Sequence, residues 1–296
     1  MGVSRMQQRC FRVSPPSCTT PSHRHGSHCA ALAAGLQPLP PAPHAATQPE
    51  THHRLNLTND EYERIFSSIN GILLPGGSSN LETSAFAKAA KKFYELALKA
   101  FDAGDYFPIW GTCLGLQFLV VCTAGKNLLT NTDSENIALP LNLTNAAASS
   151  KMFQKFPPDV YKALSNEPLT ANFHHVSITV KAFLENEKLR KFYSILSTNH
   201  DRKGVEFVSS MEGILYPFYG VQWHPEVNRF QWQQNKCFPH SPKAVEVSFL
   251  MSDFFGNEAR KSFHRFRNSQ EERAALIYNY SPRYVPTSSY IQIYFF

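Results

Sequence analysis

The sequence lacks any long hydrophobic run. No stretch of its 296 residues approaches the ~20 consecutive apolar residues that a helix needs to cross a bilayer. Charged residues are also few: they make up 18% of the sequence, whereas hydrophobic residues make up 43%. We therefore expect a globular chain, with enough apolar side chains for one large core and with no membrane span.

A basic surface for nucleic acid is also missing. The net charge is +6, but residues 1–54 hold five arginines against one glutamate, so that the rest of the chain carries only +2. Proteins that bind nucleic acid cluster their Lys and Arg side chains into a patch or stripe, and no such stripe follows residue 54. We predict no nucleic-acid partner.

The cysteines do not form a disulfide pattern. Six are spread along the chain without CxxC spacing, three of them in the first 53 residues. The cysteines therefore do not indicate whether the protein works in an oxidising or a reducing compartment. Three sequons, which begin at Asn56, Asn142 and Asn279, are sites for N-glycans if the chain enters the secretory pathway.

Residues 1–53 differ in composition from the rest. They contain eight of the 20 prolines, six of the 12 histidines and no lysine. No helical or strand pattern is convincing there, and the short run "AALAAGL" is too short and too late for a signal peptide. A disordered, low-complexity tail is favoured over a metal-binding histidine cluster. We expect one domain from residue 54 to residue 296.

From residue 55 onward, short apolar strands alternate with helices. The clearest helices are predicted within 58–69 and over 81–101, 114–124 and 241–260. The predicted strands are "GILL", "YFPIW", "NIALPLNL", "LTANFHH" running into "SITV", "YSILSTN", "GVEFVSS" and "FYGVQWH". This alternation predicts an α/β fold, a doubly wound, mostly parallel sheet with helices on both faces.

One cysteine lies where a strand meets a helix. In "PIWGTCLG", Cys113 follows an apolar strand, precedes an apolar helix and has Gly111 and Gly115 on either side. Such a nucleophile elbow thrusts the side chain out of the sheet, and the helix N-terminus stabilises a thiolate. The alternative is a buried cysteine that packs as a small hydrophobe. We prefer that alternative for Cys122 and the nucleophile for Cys113.

The segment "GVQWHPE" supplies a base. If it continues as a strand, His224 and Glu226 point to the same side, so that the carboxylate fixes the tautomer of the imidazole. A surface His-Pro-Glu turn is the alternative, and the apolar strand before it makes that less favourable.

The oxyanion of an acyl intermediate needs hydrogen-bond donors. The backbone N–H groups of Gly77, in the turn "PGG", and of Leu114, next to the cysteine, are the candidates. For Gly76 and Gly77 a purely structural turn is an equal alternative.

Together, "LLPGG", "GTCLGLQ" and "WHPE" resemble the class I glutamine amidotransferase-like superfamily. Within it, "SINGILLPGGS", "FDAGDYFPIWGTCLG", "MEGILYPFYGVQWHPE" and "ALIYNYSP" resemble the γ-glutamyl hydrolase family from about residue 55 to near the C-terminus.

The resemblance implies a flavodoxin-like fold and hydrolysis of γ-glutamyl bonds in folyl and antifolyl poly-γ-glutamates by a homodimer, lysosomal or secreted, without metal or organic cofactor. It assigns Cys113 as nucleophile, His224 as its partner and Glu226 as the third member. It places Gly76, His174 and Gln222 at the substrate. Arg229 and Lys243 are nearby cations without an assigned role.

Two features depart from this family. Gln117 is the residue that glutaminase domains favour, which keeps a glutaminase as an alternative. The family's first strand and helix also have no counterpart, because the tail of residues 1–53 stands in their place. A missing central strand would leave backbone groups unpaired, so a chain that is inactive and acts only by binding or dimerisation is a further alternative. Without a signal peptide, this N-terminus would leave the chain in the cytoplasm.

Overall fold

The structure is a computed structural model, and it describes residues 29–31, 57–233, 235–285 and 292–294. The strands are β1 (Cys29–Ala31), β2 (Gly71–Leu74), β3 (Ile109–Thr112), β4 (Thr130–Leu139), β5 (Asn142–Leu143), β6 (Thr170–Ser177), β7 (Tyr193–His200), β8 (Glu206–Gly213), β9 (Phe218–Val221), β10 (Arg283–Tyr284) and β11 (Gln292–Ile293). The helices are α1 (Asn59–Phe66), α2 (Ala85–Asp102), α3 (Leu114–Ala124), α4 (Pro158–Asn166), α5 (Val180–Glu185), α6 (Glu187–Phe192), α7 (Val227–Phe230), α8 (Pro242–Ala259), α9 (Ser269–Ala275) and a short 3-10 turn (Ile277–Asn279).

A seven-stranded sheet forms the centre, in the order β1-β2-β3-β9-β8-β7-β5. The pairings from β1 to β9 are parallel, and those from β9 to β5 are antiparallel. The predicted parallel sheet is therefore found in one half. In the other half, the β7–β8 and β8–β9 pairs are antiparallel because the connections between these strands are hairpins too short for a parallel crossover.

Helices cover both faces of this sheet, as predicted. Successive strand residues point to opposite faces. Ile109 and Phe218 pack with α1, α2 and α3 in one core, while Trp110 and Tyr219 pack with α4 and α8 in the other. All four side chains are at most 3% exposed. This division confirms the α/β architecture.

The N-terminal segment does supply one strand. Cys29–Ala31 pairs in parallel with β2, in the register Cys29↔Gly71 to Ala31↔Leu73. The expectation that residues 1–53 contain no strand is wrong for these three residues, because a strand so short shows no alternation. It lies at an edge of the sheet, where it pairs the outer side of β2. The remainder of the predicted tail, with its histidines, lies outside the described residues.

Local hydrogen bonds moved two predicted boundaries. Helix α2 was expected to begin at Leu81, but the side chain of Asn80 accepts from the N–H groups of Glu82 and Thr83 and forms a turn there. The hydroxyl of Ser84 then caps the helix. Of the predicted strand "SITV", only Ser177 lies in a strand, at the end of β6, because Thr179 caps α5 in the same way.

One helix lies where the sequence predicted it, and another was not predicted. Helix α3 spans the predicted residues 114–124. Helix α9, capped by Asn268, was not predicted; none of its side chains is buried, so it carries little hydrophobic signal. In the part of the chain that the structure describes, no helix is long and apolar enough to cross a membrane.

A two-stranded ribbon of β4 and β6 lies outside the main sheet. The backbone N–H of His224, which follows β9, donates to the carbonyl of Ala171 in β6 over 2.9 Å. This bond fixes the ribbon against the end of the parallel half of the sheet, where the predicted site residues lie.

Candidate active site

Three adjacent parallel strands deliver the predicted site residues to one edge of the sheet. β2 leads into Gly76 and Gly77, β3 into Cys113, and β9 into Gln222 and His224. The registers Leu74↔Gly111 and Thr112↔Val221 align the carboxyl ends of the three strands. Ligands of open α/β sheets bind outside these carboxyl ends, so the topology alone places the groups in a position for chemistry.

Cys113 occupies a strained turn between β3 and α3. Its φ of 50° and ψ of −100° are rare for a residue with a side chain. A Cβ on Gly111 would lie 2.5 Å from the backbone carbon of Gly115, and one on Gly115 would lie 2.1 Å from the carbonyl oxygen of Leu74. Both glycines are therefore required by close backbone packing. The geometry is that of the predicted nucleophile elbow.

A buried amide donates to the cysteine sulfur, and a second one orients it. The Nε2 of Gln222 donates to the Sγ of Cys113 over 3.5 Å. Gln117, on α3, donates from its own Nε2 to the carbonyl of Val176 over 2.8 Å and to the Oε1 of Gln222 over 3.4 Å. Because Gln117 donates to the oxygen of Gln222, the NH₂ group of Gln222 must face the sulfur. It is thus oriented to stabilise negative charge there.

His224 is paired with Glu226. The Nδ1 of the ring lies 2.7 Å from the Oε1 of Glu226, so that the ring donates to the carboxylate. Strand alternation is the wrong reason for this contact, because β9 ends at Val221 and Glu226 already has helical dihedral angles. A turn through Pro225 brings the two side chains together.

The pairing changes the protonation of the ring. Burial disfavours a charged imidazole, but the Glu226 carboxylate and the Cys113 sulfur outweigh it, so that the pKa of His224 lies well above its usual value. With Nδ1 bound to Glu226, the buried Nε2 of His224 is the ring nitrogen left to interact with the Cys113 sulfur. It is the nitrogen that is free for proton transfer.

The glycine turn after β2 lies against this ring. A Cβ on Gly76 would approach the Cε1 of His224 to 2.6 Å. Gly77 is exposed, and Leu114 stands at the first position of α3, where a backbone N–H has no intrahelical acceptor. The structure thus places both predicted donors at the end of the sheet that carries Cys113. Their role in binding an oxyanion stays a prediction.

His174 lies in β6, close enough to His224 for their charges to interact. Burial, and then the charge of His224, lower the pKa of His174 to about 3. The ring is therefore neutral near pH 7. Its Nε2 donates to the Oδ1 of Asn172 over 3.2 Å, and its Nδ1 accepts from the hydroxyl of Ser177 over 2.8 Å. Both nitrogens are engaged within the protein, and the predicted contact with substrate stays a prediction.

Sequence reasoning missed an aromatic wall beside the site. The ring of Phe173 meets that of His224 edge to face at 5.9 Å, and Phe238 packs against Phe173 at 5.2 Å. The ammonium of Lys236 lies 5.3 Å from the centre of the Phe173 ring. These contacts join β6 to a loop more than 60 residues away, and no local pattern indicates them.

The remaining predicted residues lie away from this centre. Lys243 is paired with Asp159 and Glu246. Arg229 is exposed and lies over the ring of Phe230. Asn142 and Asn279 are exposed, whereas Asn56 lies outside the described residues.

Comparison with known proteins agrees with this geometry. The family model described as Peptidase C26 matches residues 54–226. The gamma-glutamyl hydrolase of Homo sapiens is 52% identical over 244 residues, which cover 82% of this chain and 76% of the relative. Gamma-glutamyl hydrolase B of Dictyostelium discoideum is 39% identical, over 81% of this chain and 70% of the relative.

Solved structures give weaker matches. The glutaminase domain of Trypanosoma brucei CTPS with bound acivicin aligns with a TM-score of 0.45 and 20% identity, over 71% of this chain and 79% of that chain.

An elbow cysteine, an adjacent histidine and a carboxylate at the end of an α/β sheet define a cysteine hydrolase. The extent of the family match gives the particular family: the chain belongs to the Peptidase C26 family.

Proposed function

We propose that the chain hydrolyses γ-glutamyl amide bonds of folyl and antifolyl poly-γ-glutamates through a thioester on Cys113. The observation that carries the proposal is the strained Cys113, which receives a hydrogen bond from Gln222 and contributes to the raised pKa of His224. Relatives named gamma-glutamyl hydrolase, at up to 52% identity, support the choice of bond.

The first half of the reaction forms the thioester. The thiolate of Cys113 attacks the γ-carbonyl carbon, and the carbonyl electrons move onto oxygen, where the N–H groups of Gly77 and Leu114 would bind the oxyanion. His224 then gives its Nε2 proton to the nitrogen of the departing glutamate as the C–N bond breaks. The raised pKa of His224 suits this step, because the ring begins it protonated.

The second half clears the enzyme. His224, now neutral, takes a proton from a water molecule, and the resulting hydroxide attacks the thioester carbon. The C–S bond breaks, the acyl group leaves as a carboxylic acid, and Cys113 and His224 regain their starting state. The hydrogen bond to Glu226 holds the ring in one orientation through both halves.

The test compares two cysteine variants. Folyl penta-γ-glutamate is incubated with the wild type, Cys113→Ala and Cys122→Ala, and products are measured by mass spectrometry. Cys122 lies on α3, the helix that follows Cys113, but is half-buried in the core, and burial raises its pKa to about 11. We expect Cys122→Ala to cleave normally and Cys113→Ala to release no glutamate. Equal release by Cys113→Ala and the wild type would end the proposal.

The same purified proteins distinguish the proposed hydrolase from a glutaminase and from an inactive relative. A glutaminase would release ammonia from free glutamine, and the presence of Gln117 keeps this possibility open. An inactive relative would form a folded protein whose Cys113 does not react with iodoacetamide at neutral pH. We expect rapid alkylation, and cleavage of folyl polyglutamate in preference to glutamine.

We further propose a lysosomal or secreted homodimer with an N-glycan at Asn142. The side chain of Asn142 is exposed on the edge strand β5, whereas the amide of Asn279 is bound to the carbonyls of Arg273 and Ala274. On expression with a signal peptide, Asn142→Gln should reduce the mass lost on deglycosylation, while Asn279→Gln should not. Light scattering on the purified protein tests the dimer.

A further inference from the structure

A row of aromatic rings in contact with one another runs from the catalytic centre to the surface. From His224 the contacts pass through Phe173 and Phe238 to His240 and Trp232, with no step between ring centres above 6.4 Å. We refer to Phe173, Phe238, His240 and Trp232 as the aromatic row. Its first three members are half-buried, and Trp232 is 66% exposed.

The ring of Trp232, at the outer end of the row, lies parallel to the ring of His240. The two ring centres lie 3.9 Å apart with an angle of 5° between the planes. The Nδ1 of His240 is in turn within 2.9 Å of the carbonyl of Asn228, which fixes the imidazole. One face of the indole is therefore covered by a fixed ring, and most of the side chain remains open to solvent. Such a surface can accept a planar group by stacking.

The loop that carries Trp232, Phe238 and His240 is anchored by a strained residue. Asn136 in β4 has a φ of 56°, in the left-handed region. Its side chain donates to the carbonyl of Asn235 over 3.1 Å and accepts from the N–H of Cys237 over 2.7 Å. Strain of this kind persists only where surrounding contacts maintain it, often at ligand sites. Here those contacts hold the loop beside the active site.

Positive charge accompanies the rings. Lys236 lies over Phe173 and 3.6 Å from the Oε1 of Glu135. A ligand with both a planar ring and a carboxylate would match this combination.

We infer that the aromatic row is the subsite for the aromatic end of a folyl poly-γ-glutamate, with the ring system stacked on Trp232 while a γ-glutamyl bond lies at Cys113. This inference rests on the proposed function and adds the residues that would recognise the aromatic group. A γ-glutamyl chain without that group would leave Trp232 uncovered.

Binding measurements test the inference without turnover. In the Cys113→Ala background, dissociation constants are measured by calorimetry for folyl penta-γ-glutamate and for a γ-glutamyl pentapeptide without an aromatic group. We expect Trp232→Ala to weaken folyl binding about tenfold, the loss of one stacking contact, and to leave the pentapeptide unchanged. Trp232→Phe should restore most of the affinity. Phe263→Ala, at a side chain that is 93% exposed, is the matched control.

Fluorescence gives an independent readout. The other two tryptophans, Trp110 and Trp223, are at most 3% exposed, so iodide should quench mainly Trp232. Folyl penta-γ-glutamate should protect this emission and the pentapeptide should not. Unchanged folyl affinity in Trp232→Ala, or an equal loss for both ligands, would overturn the inference. If the wild type releases no glutamate from the folyl substrate, the proposed function itself fails, whatever Trp232 does.

Discussion

The side-chain NH₂ of Gln222 donates to the sulfur of Cys113 over 3.5 Å, and both residues are buried. A hydrogen bond to a charged acceptor contributes ~1.5–3 kcal/mol, so Gln222→Leu should lower kcat/KM for folyl penta-γ-glutamate at least about tenfold. Iodoacetamide should also alkylate Cys113 more slowly at neutral pH, because the thiolate loses a donor.

A second buried amide provides the control for that variant. Asn70 donates to the carbonyls of Ser262 and His264, away from the sulfur. Asn70→Leu should lower the free energy of unfolding but leave the alkylation rate unchanged. If both variants slow alkylation equally, the effect of Gln222 is a general loss of packing.

Glu226→Gln should change the pH dependence of the reaction. The carboxylate raises the pKa of His224, so its removal should lower that pKa, and the protonated ring should be lost at lower pH. The alkaline limb of the kcat/KM profile should therefore move towards lower pH, while activity near the acid limb changes less. Glu246→Gln, at another acid, should leave the profile unmoved. A uniform loss at all pH values in Glu226→Gln would contradict this role.

Gly76→Ala should separate activity from stability. The added methyl would meet the Cε1 of His224 at 2.6 Å, so the ring must shift, and a displacement of ~1 Å at a reacting group can cost about 100-fold in rate. We expect a loss of that size in kcat with a small change in Tm. In the control Gly256→Ala, on α8, the nearest atom lies 3.7 Å away. It should retain activity and gain about 0.5–1 kcal/mol in stability. Normal activity in Gly76→Ala would mean that the turn does not support the ring.

His174 should make the fold sensitive to acid. Its pKa is about 3 in the folded protein and about 6.5 when unfolded, so the unfolded chain binds a proton that the folded chain does not. Stability from this group is thus full above about pH 6.5 and declines as pH falls towards 3.

The effect is measured as a difference between pH values. The wild type should lose about 3 kcal/mol more than His174→Asn between pH 7 and pH 4, in urea unfolding monitored by circular dichroism. His200→Asn, at an exposed position, should follow the wild type. Parallel curves for the wild type and His174→Asn would show that His174 is protonated in the folded state.

Local signals were sufficient for the catalytic elements. Gly111, Cys113 and Gly115 could be assigned from sequence because the steric need for glycine is a property of one short turn. Helix α3 follows from the same turn together with its apolar run. The pairing of His224 with Glu226 was also predicted, although through strand alternation in place of the turn that the structure shows.

Long-range contacts could not be read in this way. The link from Gln117 to Gln222 joins residues 105 positions apart. A single polar side chain inside an apolar helix signals only that some buried partner exists. The parallel β1–β2 pairing depends on a three-residue strand without alternation, and the wall of Phe173 and Phe238 depends on how the β4–β6 ribbon is placed. None of these is set by neighbours in sequence.

Acyl-enzyme trapping is the most direct test of the central claim, that one sulfur carries the acyl group. Wild-type protein is mixed with folyl penta-γ-glutamate, quenched in acid within the first turnovers and digested for peptide mass spectrometry. The account predicts an acyl adduct on the peptide that contains Cys113, which disappears when substrate is exhausted. Continued glutamate release with the adduct on Cys122 or Cys237, or with no adduct on any cysteine under conditions that preserve thioesters, would contradict it.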